Sequence, residues 1–226
     1  MPIRALLFDL DGTISDTHAV HLANWLELLR PRGIDVDMDL YREKLSSGGS
    51  TAEIVDDLLP DLSQEEKEEL VESEESGYRG RLTQSGPITG LGNLIEEARS
   101  RGISVAMVSN APKEDARSSL EGLGLGDAFE PMVFAEDVGV EKPDPAPYRE
   151  ALERLGISPE EALAFEDSPS GMGGAVEAGI PVVGLSSTHS PNELREAGAE
   201  FVVGDFADRA LYERLEEQSS GTTEQT

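Results

Sequence analysis

The chain has 226 residues, 38% of them hydrophobic and none of them cysteine. That is enough for a sizeable core, and it excludes disulfides, thiolate metal sites and cysteine nucleophiles. Its 46 acidic residues against 18 lysines and arginines give a formal net charge of −28, which argues against nucleic acid or an anionic membrane surface as a partner.

The acids are spread over the whole chain, and the only lysines are Lys44, Lys67, Lys113 and Lys142. An acid-rich, lysine-poor surface of this kind resembles halophilic proteins, because a Debye length of about 3 Å at 1 M salt screens self-repulsion. No signal-peptide pattern and no apolar span of about 18 residues is present, so a soluble cytoplasmic protein is expected.

Ala5-Leu6-Leu7-Phe8 is an apolar run suited to a buried parallel strand. It leads into Asp9-Leu10-Asp11-Gly12-Thr13. Alternation along the strand starts Asp9 and Asp11 on one side, and Gly12 permits a sharp exit. Paired acids at the carboxyl end of a strand suit metal and phosphate chemistry; the competing reading is an Asx-type turn.

Ile14 to Thr17 reads as the N-terminal cap of a helix whose apolar face is Leu22, Trp25, Leu26 and Leu29, stopped by Pro31-Arg32-Gly33. A short helix is expected over 38–45 and a loop over 46–50. Another helix carries Ile54, Val55, Leu58 and Leu59, and a capping box at Ser63-Gln64-Glu65-Glu66 opens an acidic one. Nothing from 16 to 82 reads as a strand, so that block is expected to be an inserted all-helical domain.

Beyond Gly86 the pattern alternates. Strands are expected over 103–108, 131–134, 162–165, 181–185 and 201–203, separated by helices. This implies the α/β class, with a Rossmann-like parallel sheet covered on both faces and built from 1–15 and 83–216. The polar segment 217–226 is expected to be disordered.

Four polar clusters follow four of the strands: Asp9/Asp11, Ser109/Asn110, Lys142 in Val140-Glu141-Lys142-Pro143-Asp144-Pro145, and Glu166/Asp167. Ligands of open α/β sheets bind beyond the carboxyl strand ends, so these clusters should converge. Here the chain resembles the haloacid dehalogenase superfamily of phosphohydrolases. Phe8-Asp9-Leu10-Asp11-Gly12-Thr13 is similar to its first motif and Val108-Ser109-Asn110 to its second. Lys142-Pro143-Asp144-Pro145 is similar to the third, and Phe165-Glu166-Asp167-Ser168 with Gly171 to the fourth.

The resemblance implies Mg2+-dependent hydrolysis of a small phosphorylated metabolite. Asp9 would attack phosphorus to form an aspartyl-phosphate, and Asp11 would protonate the leaving oxygen and then activate water. Asp9, Asp167 and the backbone carbonyl of Asp11 would hold the metal, and Glu166 would orient its water shell. Lys142, Ser109 and Asn110 would bind the phosphoryl oxygens, although Ser109 and Asn110 also suit a helix cap.

The helical block is similar to the family's small cap, whose loops choose the substrate. Ser47 in the 46–50 loop is one cap candidate. His21, followed by Trp25 as in the β-phosphoglucomutase branch, is the other; alternatively Trp25 packs the cap and His21 lines its edge. That branch also carries a loop arginine and a later cap lysine that are missing here, although Arg79 and Arg81 are candidates to replace them in part. This favours a phosphatase for a sugar phosphate or phosphoglycolate over a sugar phosphomutase. The presence of Asp11 argues against both dehalogenation and a non-catalytic phosphate-binding module. His18 and His189 read as surface residues.

Overall fold

The apolar runs form six strands: β1 (Ala5–Phe8), β2 (Ser104–Ser109), β3 (Met132–Phe134), β4 (Ala162–Glu166), β5 (Val182–Leu185) and β6 (Phe201–Val203). The computed structural model describes residues 2–37, 40–41, 44, 51–81 and 85–220, without the side chains of 18–19, 78–81 and 216–220. All strand pairs are parallel, in the order β3-β2-β1-β4-β5-β6. The chain steps outward from β1 through β2 to β3, then crosses back to lay β4 on the other side of β1. A parallel sheet reversing direction there opens a crevice at the carboxyl ends of β1 and β4.

Burial explains why these strands read as continuous apolar runs. Leu6 and Phe8 pack on one face with α4 (Leu91–Ser100), α5 (Lys113–Gly122) and α10 (Arg209–Ser220). Ala5 and Leu7 pack on the other with α7 (Ala146–Leu155), α8 (Pro169–Glu177) and α9 (Pro191–Glu196). Directly beneath the crevice, the rings of Phe8 and Phe165 stack at 4.7 Å, and Phe206 meets both edge-on at 5.7 and 5.4 Å.

Between β1 and β2 the chain forms the all-helical cap, α1 (His18–Leu29), α2 (Thr51–Leu58) and α3 (Gln64–Arg81). It has its own small core, in which Trp25, Leu29, Ile54, Val55 and Leu70 are buried together. The capping box at the start of α3 forms as its residues predict: Ser63 N and Oγ donate to Glu66 Oε2 at 2.9 and 2.7 Å. The two segments joining cap and sheet are laced side by side. Asp16 N donates to Gly86 O at 3.2 Å, Ile88 N donates to Ile14 O at 3.0 Å, and the Ser15 and Ser85 hydroxyls meet at 3.1 Å.

Three local expectations change. Thr17 sits at the N-cap of α1 but makes no capping bond, because its hydroxyl is committed elsewhere. A short helix absent from the sequence reading, α6 (Ala135–Val138), follows β3, with Asp137 accepting from Phe134 N at 3.2 Å. The last helix, anchored by buried Leu211 and Leu215, continues through Glu216-Glu217-Gln218 to Ser220, so 217–220 does not open a tail. Most of the 38–45 segment, the 46–50 loop and residues 221–226 lie outside the described residues. No helix among the described residues is long and apolar enough to cross a membrane.

Phe8 is fully buried between the sheet and three aromatic neighbours. Phe8→Ala should therefore lower stability by about 3–5 kcal/mol, the range for emptying a packed aromatic site, as read by denaturant unfolding at constant salt. An unchanged midpoint would show that the aromatic cluster does not stabilise the sheet.

Candidate active site

Three clusters singled out from the sequence sit at the ends of β1, β2 and β4, and Lys142 arrives on the loop between α6 and α7. Asp9 follows β1, where its amide donates to Phe165 O of β4 at 3.1 Å. The chain then turns at Gly12, whose φ of 77° lies in the left-handed region that favours glycine. Gly12 N closes the turn on Ser15 O at 2.8 Å, and Ser187 beyond β5 donates to Gly12 O at 2.6 Å. Asp11 leaves this turn half-buried, and Thr17 Oγ1 donates to its Oδ1 at 3.1 Å. The hydroxyl missing from the α1 cap is therefore spent on Asp11.

Lys142 is buried at the centre. Its Nζ donates to Asp9 Oδ1 at 2.5 Å, to Glu166 Oε1 at 2.8 Å and to the Val108 carbonyl at 3.1 Å. The loop carrying it is pinned to the loop after β2: Lys142 N donates to Asn110 Oδ1 at 2.9 Å, and Asn110 Nδ2 donates back to Lys142 O at 3.2 Å. Ser109 Oγ accepts from Ala111 N at 3.0 Å, which turns the chain out of β2.

Glu166 is fully buried, and Tyr148 Oη also donates to its Oε1, at 2.5 Å. Gly171 on α8 is glycine because any Cβ there would overlap the Glu166 carboxylate. Asp167 is held from β5: Thr188 Oγ1 donates to its Oδ2, and His189 Nδ1 lies 2.9 Å from its carbonyl oxygen.

Burial dominates the titration of this group. It pushes the Asp9 carboxyl well above the usual carboxylate range; Lys142 opposes the shift, while the charges of Glu166 and Asp167 add to it. Glu166 is raised by the same burial, with Lys142 again opposing. For Lys142, burial alone would lower the ammonium pKa, but Asp9 and Glu166 outweigh it and hold the group above the ordinary lysine range. Burial and the Glu166 charge raise the Tyr148 phenol, so it stays a donor.

Carboxylate oxygens of Asp9, Glu166 and Asp167 lie within 4.8 Å of one another, all buried. Glu166 Oε2 has no hydrogen-bond partner among the described residues. Three buried carboxylates facing one ammonium, with an orphaned oxygen among them, fit a hard divalent cation that takes oxygen ligands.

The sheet thus brings together Asp9, Asp11, Ser109, Asn110, Lys142, Glu166 and Asp167. His21 lies on the cap, its Nδ1 3.4 Å from Glu74 Oε1, and Ser47 lies outside the described residues. Trp25 is buried in the cap core. His189 corrects the sequence reading: it is buried, because the loop after β5 folds over the same strand ends. Tyr148 and Thr188 were missed as well. Thr188 and His189 had one available signal, their position just beyond a strand; Tyr148 sits in a helix with no such mark.

Residues 3–179 match the haloacid dehalogenase-like hydrolase family. The chain belongs to that family. It is 30% identical over 196 residues to the validoxylamine A 7'-phosphate phosphatase of Streptomyces hygroscopicus subsp. limoneus, covering 86% of this chain and 91% of the relative. It is 32% identical over 204 residues to the phosphorylated carbohydrates phosphatase of Thermotoga maritima, covering 87% and 92%. Among solved structures it is similar to CbbY of Rhodobacter sphaeroides in complex with xylulose-(1,5)bisphosphate, with a TM-score of 0.77, 26% identity and 91% and 96% coverage.

Gly171→Ala should displace Glu166 from Lys142 and Tyr148. Overpacking of this kind typically costs about 1–3 kcal/mol, so both melting temperature and turnover should fall. Wild-type stability in this variant would show that Glu166 can swing aside. Mg2+ should raise the melting temperature of the wild-type protein over that in chelator, as expected for a ligand that binds only the folded state. Asp167→Asn should lose most of that gain; an equal gain in the variant would place the cation elsewhere.

Proposed function

We propose that this hydrolase is a Mg2+-dependent phosphatase for a small phosphate monoester of the sugar phosphate or phosphoglycolate type. The observation that carries the reading is the pair Asp9 and Asp11, two residues apart beyond β1, with Asp9 bound to the buried Lys142 ammonium and Asp11 bound to Thr17. Phosphate binding alone needs no second carboxylate poised beside the first.

In this reading a carboxylate oxygen of Asp9 attacks phosphorus and the ester P–O bond breaks, leaving an aspartyl-phosphate. Asp11 gives its proton to the departing oxygen. It then takes a proton from the water that attacks the phosphorus, releasing inorganic phosphate and restoring Asp9. Burial works against an ionised Asp9, and Lys142 counters it. The ammonium also sets fixed positive charge beside the phosphoryl oxygens without reorganising water. Ser109 lies beside it to donate from its hydroxyl, and Asn110 keeps the Lys142 loop in register.

Asp9, Asp167 and the Asp11 carbonyl would hold Mg2+, with Glu166 facing the same space. When bound, the cation supplies positive charge that neutralises both the phosphate and the attacking carboxylate. Glu166 also anchors Lys142, a second task that its sequence motif does not reveal.

The cap supports a phosphatase over a phosphomutase. A mutase must hold the far phosphate of a bisphosphate, yet both cap lysines are engaged with surface aspartates: Lys44 with Asp57 at 2.6 Å and Lys67 with Asp56 at 2.8 Å.

The test is phosphate release from a panel of small esters, with and without Mg2+, in molar KCl and in low salt. The acidic surface opposes an anionic substrate at long range, so KM should fall as salt rises. Asp9→Asn should reduce turnover at least about a thousandfold while the circular dichroism spectrum and melting transition persist. Retained turnover in that variant would overturn the nucleophile assignment.

A further inference from the structure

Glu74 on α3 is a carboxylate with 3% of its side chain exposed, in a helix whose other acids mostly face solvent. It is held against α1. Asn24 Nδ2 donates to the Glu74 carbonyl at 2.7 Å and to its Oε1 at 3.3 Å, and His21 Nδ1 lies 3.4 Å from the same Oε1. One turn further along α3, Gly77 carries no side chain because Asn24 fills the place of its Cβ. The two helices are therefore pressed together at Glu74, and its position is set by packing.

The cluster lies one helical turn from the segment that holds Asp11. His21 N donates to Thr17 O at 2.9 Å, and Thr17 Oγ1 holds Asp11, so Glu74 is joined to Asp11 through one turn of α1. Tyr41 is buried in the cap, and burial raises its phenol first, with the charges of Asp167, Asp11, Asp16 and Glu74 adding to the shift. His21 keeps 27% of its side chain open, so it is the more accessible member of the pair.

We propose that Glu74, acting with His21, is a specificity-determining residue of the cap. It puts a carboxylate backed by an imidazole on that side of the cleft, so the enzyme selects phosphate monoesters whose other end carries hydroxyls or an amine and rejects those bearing a second anion. Held by Glu74, the imidazole offers a hydrogen-bond partner to hydroxyl or amine groups, and the carboxylate behind it disfavours a second anion. The inference rests on the phosphatase reading and narrows it toward neutral or amino sugar phosphates, away from phosphoglycolate and bisphosphates.

The experiment measures kcat and KM for glucose 6-phosphate, glucosamine 6-phosphate, phosphoglycolate and fructose 1,6-bisphosphate. The proteins are the wild type, Glu74→Gln, Glu74→Lys, Glu74→Asp and the exposed control Glu69→Gln. Wild type should prefer the first two esters. Glu74→Gln should shift the kcat/KM ratio toward the anionic esters by about tenfold, mainly through KM, and Glu74→Lys by more. Glu74→Asp should keep the wild-type ranking, and Glu69→Gln should change nothing. A wild-type preference for phosphoglycolate or bisphosphate overturns the inference even if Glu74→Gln fails to fold. So does an unchanged ratio in a folded Glu74→Gln. Release from no ester, p-nitrophenyl phosphate included, overturns the phosphatase reading itself and this inference with it.

Discussion

An ammonium group cannot be left alone in the interior of a protein: the desolvation of an unpaired buried charge exceeds what a domain of this size can absorb. Lys142 is buried at the carboxyl ends of β1 and β4, and the surrounding architecture follows from keeping it paired. Asp9, Glu166 and the Val108 carbonyl take its three donor positions, drawing β1, β4 and β2 to one point. Glu166 can serve only because Gly171 leaves room for it and Tyr148 donates from the far side. Asn110 clamps the backbone of the loop that delivers the lysine. A buried ion group of this kind is weak evidence for added stability, since an apolar replacement can fold as well. In the proposed reaction its charge would lie beside the phosphoryl oxygens.

This account also explains which parts of the molecule were legible in the sequence. The sheet was readable because buried parallel strands are short apolar runs, and the polar clusters stood out because three of them close such a run, while Lys142 lies in the Pro-rich loop beyond α6. The separate core of the cap was visible in the helical spacing of Leu22, Trp25, Leu26 and Leu29. What escaped notice lies where one residue answers to two neighbours. Thr17 has the chemistry of an N-cap, and only the turn at Gly12 decides that its hydroxyl goes to Asp11. Tyr148 sits on an apolar helix face like any core aromatic, and its hydroxyl matters because Glu166 ends opposite it. His189 read as surface because nothing local says that the loop after β5 folds inward onto Asp167. Glu74 is one acid among many along α3, and only its packing against Asn24 and His21 sets it apart.

The lacing of the two segments between sheet and cap has a consequence for how such a protein can change over generations. β1 and β2 pair directly, Ala5 with Ser104 through Phe8 with Met107, although the whole cap lies between them in the chain. Because the chain leaves and returns at adjacent points, held by Asp16 with Gly86 and Ile14 with Ile88, the register of the sheet is indifferent to what the cap contains. Lengthening or exchanging the insert alters loop entropy only logarithmically and strains no strand. The sheet and the cap are therefore free to diverge at different rates. A single cleavage chemistry can be inherited intact while the module above it is replaced, trimmed or recharged to suit a new metabolite.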